Sequence, residues 1–182
     1  MIEFYTGGCR SGKSRAALER ADKIGAHRKL FIATCQPLDG EMRARIERHR
    51  QERDRTWETL EEPIGIANLI RTHSDPQTVI LVDCLTLWLT NLILQNEEDA
   101  ALQQQIEALA DSLSDARGPV LLVANEVGLG IVPENAMSRR FRDWAGSLNQ
   151  KMAQCAQRVV LTVAGISVPI KIPSSPGPAL SP

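Results

Sequence analysis

The feature that most constrains this chain is the segment Gly7-Gly8-Cys9-Arg10-Ser11-Gly12-Lys13-Ser14, which fits the pattern G-x-x-x-x-G-K-[ST]. Glycines in such a loop let the backbone turn tightly and direct several N–H groups at one anion. A helix that begins directly after the loop adds the positive end of its dipole. Lys13 is suited to reach β- and γ-phosphates, and the Ser14 hydroxyl is suited to ligate Mg²⁺. The segment therefore predicts a phosphate-binding P-loop.

The residues on either side of the motif agree with that prediction. Residues 2–6 alternate between apolar and polar types and are rich in β-formers, which predicts a first strand. Residues 14–23 carry a small apolar face at helical spacing, which predicts a helix. A plain Gly-rich turn between two elements would not require the lysine and the hydroxyl as well. We expect the Lys13 side chain to face solvent when no ligand is bound.

Short apolar runs alternate with helical patterns along the rest of the chain. Extended segments are predicted at 29–34, 57–60, 78–82, 120–124, 159–163 and 166–172, and further helices at 40–55, 63–72, 85–95, 98–115 and 138–157. Pro63 suits the first turn of its helix, and Ala164-Gly165 suits a hairpin between the last two strands. This alternation predicts an α/β fold of the P-loop, RecA-like kind. That fold is a three-layer sandwich around a mostly parallel sheet, here with an antiparallel edge hairpin.

Length and composition favour one domain and exclude several classes of protein. The 182 residues are 43% hydrophobic and 24% charged, as in ordinary globular proteins. We expect residues 1–172 to form a single nucleotide-binding catalytic domain and the Pro- and Ser-rich residues 173–182 to be a disordered tail. A net charge of −1 and an aromatic content of 4% do not favour nucleic acid binding. Polar residues interrupt the apolar region 79–94, which argues against a membrane span, and four widely spaced cysteines are typical of a reducing cytoplasm.

Polar residues follow several of the predicted buried strands. Asp83 ends one strand, where an acid in P-loop proteins helps to hold Mg²⁺; a helix N-cap is the alternative, and the strand context favours the metal role. The segment Thr34-Cys35-Gln36 lies beyond another strand, where ligands bind in open α/β sheets. Asn125 and Glu126 follow a third strand, so we expect them to lie at the same edge of the sheet. Their pattern leaves open whether they touch substrate or only shape the loop and cap a helix.

The predicted helix 40–55 is unusual because it carries six arginines and four acidic residues. Arg45, His49 and Arg53 share one face of that helix. A solvated, salt-bridged surface helix is one interpretation, and spacing alone favours it. The other is a phosphate-binding groove, in which neighbouring arginines would bind phosphates and favour the neutral, nucleophilic imidazole of His49.

Taken together, these segments resemble one family closely: the bifunctional adenosylcobinamide kinase/adenosylcobinamide-phosphate guanylyltransferases of cobalamin biosynthesis. The resemblance covers residues 1 to about 172. Its matching pieces are the P-loop, residues 33–42, Arg45-Ile46-Glu47-Arg48-His49-Arg50, residues 57–63, Asp83-Cys84-Leu85-Thr86 and the segment from Asn125 to Pro133. Cys9 stands where many members have alanine, and Asp83 where some have glutamate. The His49 segment and the segment that begins at Asn125 are far more specific than the P-loop.

The resemblance implies that His49 is the residue that becomes covalently guanylylated, which reverses the interpretation from spacing. It also implies a set of nucleotide contacts, to GTP or ATP with Mg²⁺. These contacts are Gly7, Gly8, Cys9, Arg10, Ser11, Gly12, Lys13, Ser14, Thr34, Cys35, Gln36, Arg50, Gln51, Glu52, Arg53, Glu61 and Asp83. It further implies a homotrimer, with adenosylcobinamide and adenosylcobinamide phosphate as substrates. The cysteine pattern and the interrupted apolar region predict a cytoplasmic protein without membrane insertion.

The implied reaction has two steps. ATP or GTP first gives its γ-phosphoryl group to the hydroxyl of adenosylcobinamide, with Lys13 as a catalytic residue. His49 then takes GMP from GTP and passes it to the phosphorylated corrinoid, which gives adenosylcobinamide-GDP. Two alternatives are a P-loop small-molecule kinase without a covalent nucleotide and a regulatory RecA-like NTPase. The first predicts no guanylylated protein, and the second predicts stimulation by a macromolecular partner.

Overall fold

The computed structural model describes residues 1–36, 56–95 and 98–173. Within these ranges the elements in chain order are β1 (Ile2–Gly7), α1 (Lys13–Ile24), β2 (Arg28–Ala33), β3 (Trp57–Glu61), α2 (Ile66–His73), β4 (Thr78–Asp83), α3 (Leu85–Leu94), α4 (Asp99–Ser114), β5 (Val120–Asn125), α5 (Ala136–Cys155), β6 (Arg158–Val163) and β7 (Ile166–Lys171). The predicted helix 40–55 and all of the predicted tail except Pro173 lie outside the described residues.

The strands form one sheet in the order β3-β2-β4-β5-β1-β6-β7. Every neighbouring pair is parallel except β6 and β7, which are antiparallel. Gly7 at the end of β1 lies opposite Asn125 on one side and Thr162 on the other. The predicted fold class is therefore confirmed, including the edge hairpin. The carboxyl ends of six parallel strands open along one edge of this sheet, where α/β proteins bind ligands.

The two faces of the sheet are covered unequally by the described helices. Helix α1 packs on one face, where Ala17 and Ala21 are fully buried against strand residues such as Leu81 and Val123. Helices α2 to α5 pack on the other face around Trp88, and they form the larger core. Residues 79–82 of β4 and 120–124 of β5 are all apolar because alternate residues enter the two cores. None of the helices in the described ranges is long and apolar enough to cross a membrane.

Two predicted helix starts are wrong, and local hydrogen bonds explain both. Pro63 does not lie in the first turn of a helix, since α2 begins only at Ile66. The carboxylate of Glu62 instead accepts hydrogen bonds from the N–H groups of Ile64 and Gly65, at 2.9 and 2.8 Å, and forms a turn there. Helix α5 begins two residues before the predicted Ser138, because the Asn135 side chain caps it by accepting the Ser138 N–H at 2.7 Å.

A buried ion pair fixes α1 against the first strand. The Glu3 side chain is only 2% exposed, and Arg20 of α1 donates to its carboxylate through Nη2 at 2.8 Å and Nε at 3.0 Å. The Tyr5 hydroxyl donates to the same carboxylate at 2.9 Å. Burial and the adjacent Glu3 raise the pKa of Tyr5 well above its ordinary value. Because α1 follows the Gly-rich loop, this cluster also sets the position of that loop.

Candidate active site

The Gly-rich loop connects β1 directly to α1, as the motif predicts. A Cβ atom on Gly7 would lie 2.3 Å from the carbonyl oxygen of Thr162 and 2.7 Å from Ser11 Oγ, so only glycine fits. Gly12 has a φ of 97° and forms the left-handed N-cap of α1. With that cap, the helix begins at Lys13 and its first N–H groups face the loop. The loop and the helix N-terminus therefore have the geometry that binds phosphate.

Lys13 is buried, contrary to the expectation that its side chain faces solvent. It is 7% exposed, and its Nζ donates a hydrogen bond to the carbonyl oxygen of Gly8 at 3.1 Å. The Ser11 N–H donates to the same carbonyl at 3.3 Å, so the loop turns here and the Gly8 carbonyl oxygen lies within reach of the ammonium group. The lysine is thus held along the loop, next to the groups that would contact a phosphate.

Three strand ends bring polar groups to the loop. Asp83, Asn125 and Gly7 end the neighbouring strands β4, β5 and β1. The N–H of Glu126 donates to the Gly7 carbonyl at 3.0 Å, which joins β5 to the start of the loop. Side chains alternate along a strand, and Leu81 and Val123 face α1. The side chains of Asp83 and Asn125 therefore lie on the same side of the sheet as the loop.

Ser14 and Asp83 are the candidate ligands for a metal ion. Ser14 lies in the first turn of α1 and Asp83 at the end of β4, and both are half-buried. The described residues contain no cluster of three or more His, Cys, Asp or Glu side chains that could hold a metal alone. A hydroxyl and one carboxylate are an oxygen-only donor set, which suits Mg²⁺ when nucleotide phosphates supply further ligands. The residues present therefore fit this ion.

Thr34 is buried and is bonded to the segment that follows Asp83. Its hydroxyl donates to the Cys84 carbonyl at 2.7 Å and accepts from the Cys84 N–H at 2.9 Å. Burial, followed by the charge of Asp83, raises the pKa of the Cys84 thiol to about 11, so this cysteine is neutral at physiological pH. Thr34 therefore holds the end of β4 in place beside the loop.

The remaining predicted contacts divide into two groups. Cys35 and Gln36 continue from Thr34 beyond β2, and Glu61 ends the edge strand β3 opposite Ala33. The structure therefore brings them to the same sheet edge as the loop, on strands that lie three and four positions from β1 in the sheet. His49, Arg50, Gln51, Glu52 and Arg53 lie outside the described residues. Their roles stay predictions.

Three residues that the sequence reasoning missed hold this edge in position. Thr86 Oγ1 accepts the N–H of Asn125 at 2.6 Å, and Asn149 Nδ2 donates to the carbonyl of Asn125 at 3.2 Å. Asn91 Nδ2 donates to the carbonyls of Thr34 and Pro63, at 2.8 and 3.1 Å. The available signal was the presence of Thr86 and Asn91 in an otherwise apolar region, because buried polar groups require partners.

A loop of this geometry between the first strand and the first helix, at the carboxyl edge of a parallel sheet, defines a nucleotide-binding protein of the P-loop class. Solved structures share the fold. A flagellar accessory protein, FlaH, from Methanocaldococcus jannaschii matches with a TM-score of 0.53 and 11% identity, over 94% of this chain and 78% of that one. The ATPase EscN from an enteropathogenic E. coli type III secretion system matches with a TM-score of 0.52 and 9% identity, over 90% of this chain and 42% of that one.

The sequence identifies the family within that class. The model of the family described as "Cobinamide kinase / cobinamide phosphate guanyltransferase" matches residues 3–170. The chain is 46% identical over 171 residues to the bifunctional adenosylcobalamin biosynthesis protein CobP of Pseudomonas aeruginosa, covering 94% of this chain and 98% of the relative. It is 45% identical to the bifunctional adenosylcobalamin biosynthesis protein CobU of Escherichia coli K12, with 94% and 100% covered. This chain belongs to the cobinamide kinase/cobinamide phosphate guanyltransferase family.

Proposed function

We propose that this chain phosphorylates adenosylcobinamide and then converts the product to adenosylcobinamide-GDP. The observation that carries the proposal is the P-loop of Gly7 to Ser14, with Asp83 and Asn125 at the neighbouring strand ends, in a chain that matches the family over residues 3–170. A P-loop alone supports any nucleotide-dependent transfer. The family match narrows the acceptor to a corrinoid.

In the first step the γ-phosphoryl group of ATP or GTP passes to the aminopropanol hydroxyl of adenosylcobinamide. Loop N–H groups and Lys13 would bind the phosphates, and Ser14 and Asp83 would hold Mg²⁺. When bound, that ion would neutralise part of the negative charge of the nucleotide phosphates. To follow the moving charge, Lys13 would have to exchange its contact with the Gly8 carbonyl for the phosphoryl oxygens.

In the second step His49 would act as a nucleophile. A neutral ring nitrogen attacks the α-phosphorus of GTP, pyrophosphate leaves, and GMP remains on the imidazole. The phosphate of adenosylcobinamide phosphate then displaces the histidine and forms adenosylcobinamide-GDP. The segment from Arg50 to Arg53, the residues Thr34 to Gln36, and Glu61 would contact the nucleotide. These assignments are supported by the resemblance of the His49 segment to the family.

We also propose that the chain works as a homotrimer. The hairpin of β6 and β7 supports self-association, because its outer surface is apolar and exposed. Val163, Ile166 and Val168 share one side of the hairpin and are 57%, 68% and 47% exposed. An exposed apolar surface on an edge strand marks an interaction site more often than an ordinary surface. A second copy of the chain is the partner that the family resemblance implies.

Two further parts of the proposal concern the extent of the catalytic unit and its compartment. Residues 1–172 would form one catalytic domain, with the tail from residue 173 dispensable for activity. The compartment would be the cytoplasm; none of the four cysteines is in a disulfide, which is typical of reducing compartments.

Product analysis by mass spectrometry tests the two activities together. The protein is incubated with Mg²⁺ and adenosylcobinamide, first with ATP alone and then with GTP. We expect adenosylcobinamide phosphate with ATP and adenosylcobinamide-GDP with GTP. A reaction that stops at the phosphate under both conditions would favour a plain small-molecule kinase. Nucleotide hydrolysis without any change in the corrinoid would favour a regulatory NTPase.

A further inference from the structure

Asn125 is held rigidly by its backbone, while its side chain makes no hydrogen bond to any described residue. Its N–H donates to Thr86 Oγ1 at 2.6 Å, and its carbonyl accepts from Asn149 Nδ2 at 3.2 Å. These contacts come from α3 and α5, on the face of the sheet opposite α1. The backbone of Asn125 is therefore held in place. Its half-buried side-chain amide has two N–H donors that bind no other described residue.

The position of Asn125 relative to its neighbours gives those donors a direction. Asn125 lies opposite Gly7, the first residue of the P-loop, and its strand lies between β1 and β4. Asp83 lies opposite Val123, so Asn125 extends two residues past Asp83, or about 6–7 Å along the strand direction. The Asn125 side chain lies on the face of the sheet that α1 covers. Its amide is therefore placed beside the loop and beyond the carboxylate of Asp83.

Glu126 does not share this arrangement, although it is the next residue. Its Oε1 accepts the N–H of Gly128 at 2.7 Å, which shapes the loop that leads away from β5. Of the pair that follows β5, Asn125 is presented to the site and Glu126 is used within the loop. This difference separates two roles that the sequence pattern left open.

We propose that the Asn125 amide donates a hydrogen bond to the γ-phosphoryl group as it moves from the nucleotide to the corrinoid hydroxyl. Asn125 is then a catalytic residue of the kinase step, and this inference rests on the proposed function. In that step the bond from the γ-phosphorus to the β,γ-bridging oxygen breaks, a bond to the hydroxyl oxygen forms, and the hydroxyl proton is released to solvent. Negative charge spreads over the three remaining phosphoryl oxygens. A fixed neutral donor stabilises that charge without reorganisation.

The test compares Asn125→Ala and Asn125→Asp with wild type and with Asn68→Ala, which truncates an exposed asparagine on α2. Initial rates of adenosylcobinamide phosphorylation are measured over a range of ATP concentrations, together with melting temperatures. Asn125→Ala should lower kcat about 100-fold, as loss of one oriented donor does elsewhere. The KM for ATP should change by no more than about threefold, because the interaction is made mainly in the transition state.

Asn125→Asp keeps the shape of the side chain but replaces the donors with a negative charge, so its kcat should fall at least as far. Asn68→Ala should behave as wild type, and all variants should keep the wild-type melting temperature within a few degrees. Labelling of the protein by GTP that is radioactive at the α-phosphate should persist in Asn125→Ala, because that step reacts at a different phosphorus.

Wild-type kcat in Asn125→Ala or Asn125→Asp would overturn the inference while leaving the proposed function intact. A variant in which kcat, nucleotide affinity and melting temperature all fall together would also overturn the inference, since that result would show a structural role for Asn125. Absence of corrinoid phosphorylation by the wild-type protein would instead overturn the proposed function, and the inference with it.

Discussion

The Nζ atom of Lys13 donates a hydrogen bond to the carbonyl oxygen of Gly8, 3.1 Å away across the P-loop. This contact predicts the behaviour of Lys13→Ala. The kinase step should be lost, because no cation then follows the phosphoryl charge. The free energy of unfolding should fall by about 1 kcal/mol, the typical value of one hydrogen bond. Kinase assays and urea unfolding measure the two effects. Wild-type turnover by the folded variant would exclude this loop as the kinase site.

The pair formed by Glu3 and Arg20 predicts a larger effect on stability. Arg20→Leu leaves a buried carboxylate without its cation, and we expect a loss of about 2–3 kcal/mol. This is less than for a fully buried pair, because the Arg20 side chain is 39% exposed. Arg15→Leu is the matched control: it breaks the exposed pair with Glu19, and its cost should be below about 0.5 kcal/mol. Equal costs in urea unfolding would contradict the structural role of Glu3.

Tyr5 gives a prediction about alkaline pH. It is the only tyrosine in the chain, so absorbance near 295 nm reports its ionisation alone. Its pKa is raised in the folded protein by burial and by Glu3, from an ordinary value of about 10. The neutral form is therefore favoured by folding, and this contribution to stability is present below pH 10 and is lost as the pH rises further. We expect tyrosinate to form only as the protein unfolds. Ionisation near pH 10 with the fold intact would contradict this.

The parts of the fold that follow local rules were predictable from the sequence. Continuous apolar runs identified the buried strands β4 and β5, and the spacing of glycines, lysine and serine identified the loop. The wrong start at Pro63 arose because the Glu62 side chain competes for the N–H groups of Ile64 and Gly65, a contact that proline statistics do not include.

The parts that depend on distant pairing were not predictable. Thr86 and Asn149 lie 39 and 24 residues from Asn125, and their contacts exist only because β5 is placed between β4 and β1. The burial of Lys13 likewise depends on how the loop curves, which a motif does not specify. The sequence therefore predicts residues of the candidate site, but not the long-range contacts that hold the sheet edge in position.

The exposed side of the β6–β7 hairpin predicts the effect of a charge on self-association. Val168→Asp places a carboxylate in the apolar surface and should shift sedimentation from a trimer towards a monomer, because a buried unpaired charge is costly. Ala100→Asp adds the same charge at an exposed position near the start of α4 and should leave sedimentation unchanged. A wild-type monomer, or a Val168→Asp variant that sediments as wild type, would exclude this surface as the interface.

Covalent labelling of the protein by GTP that is radioactive at the α-phosphate tests most directly whether guanylyl transfer passes through His49. Wild type should carry an acid-labile, relatively base-stable label, as expected for a phosphoramidate. His49→Asn keeps a polar side chain but has no nucleophilic ring nitrogen. This variant should lose both the label and guanylyl transfer. It should still phosphorylate some adenosylcobinamide, because transfer of the γ-phosphoryl group does not require a covalent bond to the protein. His27→Asn, at an exposed histidine, should label as wild type does. A His49→Asn variant that still labels and still makes adenosylcobinamide-GDP would contradict the assignment of His49 as the nucleophile.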